Sequence, residues 1–256
     1  MLDAQKPDHI SLQTLLQRLR EGRYVVPDFQ RDFEWEPWDI RNLVGSVFRD
    51  YYIGSLLLWR GKADNFDALS CEPLFGRPKK SEPGFDEKSR EFIVLDGQQR
   101  LTALHYAFVA PDVALPNRSR RAFYFVYVDR FMDPAAEEDA FSYEWASKRM
   151  LALMEDETAQ FDAHFFPCQL LGQPNMFPLY RWLEGYQKHW DAKAQAAEAD
   201  GDAEAAETAK GHADNALKFG EHVQAVYGQY QISYVELDRE LALDKVCDIF
   251  TQINSR

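Results

Sequence analysis

The chain has 256 residues, of which 46% are hydrophobic and 14% aromatic, enough to bury one substantial core, or a core plus a smaller helical lobe. Its formal charge of −13 excludes a protein that coats nucleic acid indiscriminately, because neutralising phosphates takes a surplus of Lys and Arg on the binding face. No run approaches the roughly 20 apolar residues that cross a bilayer, and the opening MLDAQKPDHISLQ lacks the basic-then-apolar order of a secretory signal, so a cytoplasmic protein without a membrane partner is expected.

In chain order, Ser11 is placed to cap a first helix, with Ile10 and Leu15 as a hydrophobic staple. Leu12, Leu15, Leu16 and Leu19 share one face, and Gly22 closes the helix. Tyr24, Val25 and Val26 then form a short strand that Pro27 turns aside. Pro37 opens a second helix, whose Ile40, Leu43, Val44, Val47 and Phe48 recur at helical spacing, before YYIGSLLLWR supplies the next strand. Residues 61–90 carry Pro, Gly, Lys and Glu without a sustained period and read as a long surface loop tipped by Lys79 and Lys80.

The strand EFIVLD follows, then Gly97, then a helix with Leu101, Leu104, His105 and Phe108 on one face. RAFYFVYVD is a strand with apolar side chains on both sides of its pleat, so both faces are expected to be covered. From about residue 135 the composition turns helical: YEWASKRMLALME, PLYRWLEGYQKHW, and an Ala/Glu-rich run over 191–228, broken near Gly201 and Gly211, that reads as a surface helical hairpin. A last strand, YQISYVEL, precedes a helix with Leu243, Val246, Cys247 and Phe250 as its apolar stripe. The strands near 24–26, 53–59, 91–95, 122–128 and 230–236 make one small mixed sheet with flanking helices and an added helical lobe, an α+β class.

Charge is unevenly spread. Residues 191–217 hold seven acids against Lys193 and Lys210, whereas residues 1–60 balance eight Lys/Arg against nine Asp/Glu. An anion site therefore belongs in the first half. Cys71, Cys168 and Cys247 are far apart and odd in number, which suggests neither a disulfide framework nor a zinc site. The six histidines form no ligand-spaced pair. There is no P-loop, H-E-x-x-H or serine elbow.

The strongest chemical signal is Asp96-Gly97-Gln98-Gln99-Arg100, at the junction of an apolar strand and an amphipathic helix. Glycine lets the backbone turn tightly and approach a ligand, the helix start offers free N–H donors, and Arg100 adds a charged fork. Asp96 either caps the helix or holds a water or Mg²⁺ opposite a phosphate; Gln98 and Gln99 can orient a water or bond phosphate oxygens. The plainer reading is a capped strand-to-helix turn with an exposed arginine. A second cluster is Phe29, Gln30 and Arg31 with Trp35 and Trp38, which either clamps an anion or seals the core. A third, Asn254-Ser255-Arg256, is either an ordinary helix end or part of the same site. His105 on an apolar face reads as a core histidine. Arg118, Arg120 and Arg121 either touch nucleic acid or are a solvated loop.

Together, VPDFQRDFEWE, IGSLLLW, IVLDGQQRLTAL and IFTQINSR, in this order, resemble the family typified by the N-terminal domain of GmrSD modification-dependent restriction enzymes. The resemblance spans nearly the whole chain. It implies a ParB/sulfiredoxin-like core over 1–135 carrying the D-G-Q-Q-R motif, a mainly helical lobe over 136–229, and a closing strand and helix over 230–256 that precede a C-terminal effector domain. It further implies an NTP-binding and NTP-hydrolysing domain that acts with Mg²⁺ in a modified-DNA restriction system, with a His/Asn-type nuclease domain or partner subunit supplying cleavage. On this resemblance, Asp96, Gln98, Gln99 and Arg100 are the catalytic positions, and Gln30, Arg31, Gly97, Arg100 and Asn254 hold the nucleotide. Two other readings stay open: a non-catalytic sensor of nucleotide or DNA phosphate that regulates a nuclease, and a nuclease built on the acids near Asp96.

Overall fold

The structure is a computed structural model that describes residues 7–79, 81–82, 84–116 and 118–254, the side chain of Asn254 excepted. Lys80, Ser255 and Arg256 lie outside the described residues. The first strand, β1 (Asp8–Ser11), was not expected; it pairs antiparallel with the last strand of the chain. Ser11 ends it and caps α1 (Leu12–Glu21), accepting from the Thr14 N–H at 3.3 Å. Gly22, at φ 73°, closes the helix with its N–H directed back to the last turn. After β2 (Tyr24–Val26) and an extended loop, Pro37 starts α2 (Pro37–Phe48), and β3 (Leu56–Arg60) follows.

Residues 61–90 correct the reading of one long loop. They contain a short helix, α3 (Ala63–Ala68), and a two-residue strand, β4 (Glu72–Pro73). Phe66 and Cys71 are buried there, so single apolar anchors fold a segment that has no sustained period. Next come β5 (Phe92–Asp96) and α4 (Gln98–Leu104), the latter running on as a π-helical turn over His105–Val109.

A second correction concerns β6 (Ala122–Tyr127). It belongs to a separate three-stranded sheet, ordered β7-β6-β8, and not to the main one. A short helix, α5 (Val128–Phe131), leads to β7 (Phe141–Trp145), which occupies part of the stretch read as helix; only α6 (Lys148–Glu155), capped by Ser147, is helical there. Phe141, Tyr143 and Trp145 are large β-formers, and pairing with β6 outweighs the helical composition around them. Then follow α7 (Glu157–Asp162), β8 (Phe165–Pro167) and the hairpin of α8 (Phe177–Ala199) and α9 (Ala203–Gln229). The break lies at Gly201 alone, since α9 runs through Gly211. The chain ends with β9 (Gln231–Leu237) and α10 (Leu243–Asn254).

The main sheet is mixed, with order β1-β9-β3-β5-β2-β4, which puts the strand of the D-G-Q-Q-R motif between β3 (antiparallel) and β2 (parallel). Period-two alternation divides its side chains cleanly. Tyr24, Val26, Leu58, Phe92 and Val94 enter the large core with α1, α2 and α4, whereas Val25, Trp59, Ile93 and Leu95 face α3 and α10. The hairpin packs into the main core: Trp182, Tyr186, Phe219 and Val223 are buried in the same large cluster as Leu12 and Phe92. Two of the three cysteines, Cys71 and Cys168, are buried, and all three are free thiols.

Candidate functional site

The site forms where β5 ends. Gly97 has φ 95°, and a Cβ there would lie 2.4 Å from Leu56 Cδ2, so both the backbone angle and the space require glycine. The chain then turns straight into α4, with Leu101 N–H donating to the Gly97 carbonyl at 3.0 Å. The N–H groups of Gln98, Gln99 and Arg100 precede any intrahelical acceptor, as in every helix start. On the opposing strand the pairing register shifts between Leu57 and Leu58, so that Leu57 faces Asp96 while Leu58 faces Val94. The extra residue is Leu95 of β5, so the irregularity bends the end of the motif strand itself.

Arg100 is only 19% exposed and is held at both ends of its fork. Nη1 donates to the Ile53 carbonyl at 3.0 Å and Nη2 to Asp96 Oδ2 at 3.1 Å. Gly54, at φ 89°, makes this possible: a Cβ there would come within 2.2 Å of Arg100 Nη1. Asp96, 46% exposed, presents the remainder of its carboxylate to the cleft.

The early loop is tied to the motif by two glutamines. Gln30 Nε2 donates to the Val94 carbonyl at 2.5 Å and to that of Leu95 at 3.4 Å. Gln99 uses its whole amide on the same loop: Nε2 donates to the Asp32 carbonyl at 2.9 Å and Oε1 accepts from the Glu34 N–H at 3.0 Å. Gln98, by contrast, makes no side-chain hydrogen bond among the described residues and lines the cleft. Arg31 is 72% exposed and pairs with Glu34 at 3.4 Å. Phe29 packs edge-on against Phe250 of α10, with ring centroids 4.7 Å apart.

The result is a cleft of about 440 Å³ that unites Gln30, Arg31, Asp96, Gly97, Gln98, Gln99 and Arg100, walled by Phe29, Trp35 and Phe250. The first two sequence clusters therefore converge. The third is not placed: the side chain of Asn254, and Ser255 and Arg256, lie outside the described residues, although Phe250, one helical turn before Asn254, walls the cleft. Arg118, Arg120 and Arg121 are not in this cleft. Sequence reasoning gave no role to Gly54 or the Ile53 carbonyl, although a glycine opening a strand in YYIGSLLLW is itself a signal of positive φ or close approach. His105 is buried, and burial, helped by the charge of Arg77, lowers its pKa to about 4, as suits a neutral core histidine.

Chemically, two arginines and a helix start line the same cleft, a combination that suits a negatively charged ligand. Among the described residues no group of three or more His, Cys, Asp or Glu side chains could hold a metal unaided. The single carboxylate of Asp96 does fit a Mg²⁺ carried on phosphates, which typically takes one or two protein carboxylates.

The family model described as "GmrSD restriction endonuclease, N-terminal domain" matches residues 12–256. The chain belongs to that family. This GmrSD-type domain also resembles an uncharacterized protein of Methanocaldococcus jannaschii, MJ0686, with 29% identity over 181 residues, 66% of the chain but 30% of that protein. The domain thus spans less than a third of the relative's length. No helix among its described residues is long and apolar enough to cross a membrane.

Proposed function

We propose that this domain binds a nucleoside triphosphate in the D-G-Q-Q-R cleft and hydrolyses it, as the regulatory part of a modification-dependent DNA restriction system. The observation that carries the reading is Arg100, fixed by Ile53 and Asp96 beside a helix start, with Arg31 exposed across the same cleft. A charge held in place before the ligand arrives needs no reorganisation when negative charge develops on the phosphoryl oxygens.

Within this reading, Arg31 and Arg100 hold phosphates, and Asp96 would hold a Mg²⁺ carried on them, an ion that would neutralise phosphate charge. Gln98 orients the attacking water, because it is the motif glutamine whose amide is not engaged with the backbone. Gln30 and Gln99 shape the cleft. Asn254 remains a proposed nucleotide contact on the family resemblance alone. Cleavage of DNA is assigned to a nuclease domain or partner outside these residues, and the soluble cytoplasm is the proposed location.

A second reading, binding without turnover, draws on the same engagement of Gln30 and Gln99, which leaves few groups to activate water. Calorimetric titration with NTPs and Mg²⁺, paired with a phosphate-release assay, separates the two. Saturable binding lost in Arg100→Ala, with turnover lost but binding kept in Gln98→Ala, is the expected result. Binding without release in the wild type would establish the sensor, and no binding at all would remove the nucleotide from this cleft.

A further inference from the structure

The two arginines of the motif cleft are held differently. Arg100 is mostly buried and tied through both terminal nitrogens, to the Ile53 carbonyl and to Asp96. Arg31 lines the same cleft, but 72% of its side chain is exposed, and its Nη1 stands 3.4 Å from Glu34 Oε2. Glu34, itself 62% exposed, does not line the cleft. The pair thus joins a cation that faces the cleft to a carboxylate beside it.

The backbone around this pair is fixed. The Gln30 amide donates to the Val94 carbonyl, and Phe33, 5% exposed, stacks on Phe75 at 6.0 Å between centroids. Gln99 holds both the Asp32 carbonyl and the Glu34 N–H, and Glu36 pairs with Arg118 at 2.6 Å. Residues on both sides of Arg31 are therefore anchored to the core or to the motif. Its guanidinium changes partner by rotation of its own side chain, with the loop left in place. Such a movement costs little, since a pair this exposed is weak and both groups stay in water.

We infer that Glu34 is the resting partner of Arg31 and that a polyphosphate entering the cleft takes Arg31 from it, so that one arginine is set in advance and the other is recruited. The inference rests on the nucleotide-binding reading given above and adds Glu34 to it as a positioning residue, which acts on the ligand through Arg31. A carboxylate offers one negative charge, whereas a triphosphate offers several, on oxygens that a guanidinium fork can bind in pairs, so the exchange favours the ligand. Apparent affinity is lowered in proportion to the fraction of molecules in which Arg31 is free to bind. For an exposed ion pair, freeing Arg31 completely should tighten binding roughly threefold.

Calorimetric titration of the whole chain with each common NTP and Mg²⁺ tests this in a double-mutant cycle. Glu34→Gln should bind roughly threefold more tightly than the wild type in low salt, with a smaller gain in high salt. Arg31→Met should bind more weakly, and adding Glu34→Gln to Arg31→Met should change nothing further, because no guanidinium remains to be released. The same gain in the Arg31→Met background overturns the inference, since Glu34 would then repel the ligand directly. So does unchanged or weaker binding in Glu34→Gln. Absence of NTP binding in the wild type overturns the nucleotide reading and this inference with it, whereas wild-type binding without coupling between the two positions overturns the inference alone.

Discussion

His105 shows how much one buried side chain can decide. Its imidazole sits in the π-helical turn after the motif, 1% exposed, with Nδ1 unpartnered, and burial, then the charge of Arg77, depresses its pKa to about 4; a backbone hydrogen bond with Phe75 opposes this only in part. The unfolded chain takes up this proton near pH 6.5 and the folded chain only near 4. The stabilising contribution is therefore whole above pH 6.5 and is lost as pH falls towards 4. At about 1.4 kcal/mol per unit the full loss approaches about 3 kcal/mol. His164 is lowered to about 4 as well, chiefly by burial, and adds in the same direction, with a smaller weight because it is partly solvated. Urea denaturation at a series of pH values should show stability falling between pH 6.5 and 4, and His105→Leu should flatten that profile. An unchanged profile would mean that other groups govern acid unfolding.

At the scale of elements, the site depends on where β3 begins. The segment DYYIGS leaves α2, passes through Asp50 at φ 56° and Gly54 at φ 89°, and presents the Ile53 carbonyl to Arg100. Gly54→Ala forces a left-handed backbone on a residue with a Cβ, a cost of about 1–2 kcal/mol, and drives that Cβ into Arg100 Nη1. Nucleotide affinity should fall as far as in Arg100→Ala while stability, followed by thermal melting, falls only modestly. Retained affinity would show that Arg100 does not hold the ligand from this position.

This region also marks what the sequence conveys. The strand-to-helix turn at Asp96 and the early loop were legible because local chemistry, namely a glycine, a proline and apolar periodicity, dictates them. The support from Gly54 was not, since it arises from contact across 46 residues of chain. The same holds for β7 and β8: their strand character comes from pairing with β6, which no local window contains. Gln99 is a further case. Its position beside Gln98 suggests a shared role, yet side-chain direction sends one amide onto the backbone of the loop at 32–34 and leaves the other in the cleft.

For the whole molecule, the question is whether the helical hairpin merely rides on the sheet that carries the site. Its contacts argue otherwise. Phe219 of α9 is fully buried and meets Phe131 at 5.8 Å and Phe166 at 5.1 Å, and Phe131 in turn meets Phe48 of α2 at 6.0 Å. The His222 Nε2–H donates to the Phe48 carbonyl at 2.7 Å, and the Tyr230 hydroxyl donates to the Tyr51 carbonyl at 2.7 Å, two residues before Ile53. The hairpin thus holds the end of α2 and the start of the segment that positions Arg100. Phe219→Ala should cost about 3–5 kcal/mol, the range for deleting a buried aromatic. Because the large core is continuous, helical circular dichroism and tryptophan fluorescence should still report one coincident unfolding transition. If the hairpin were a separate unit, the variant would melt in two steps and its nucleotide affinity below the first would match that of the wild type. Loss of affinity in step with the single transition would instead tie the cleft to the packing of α9.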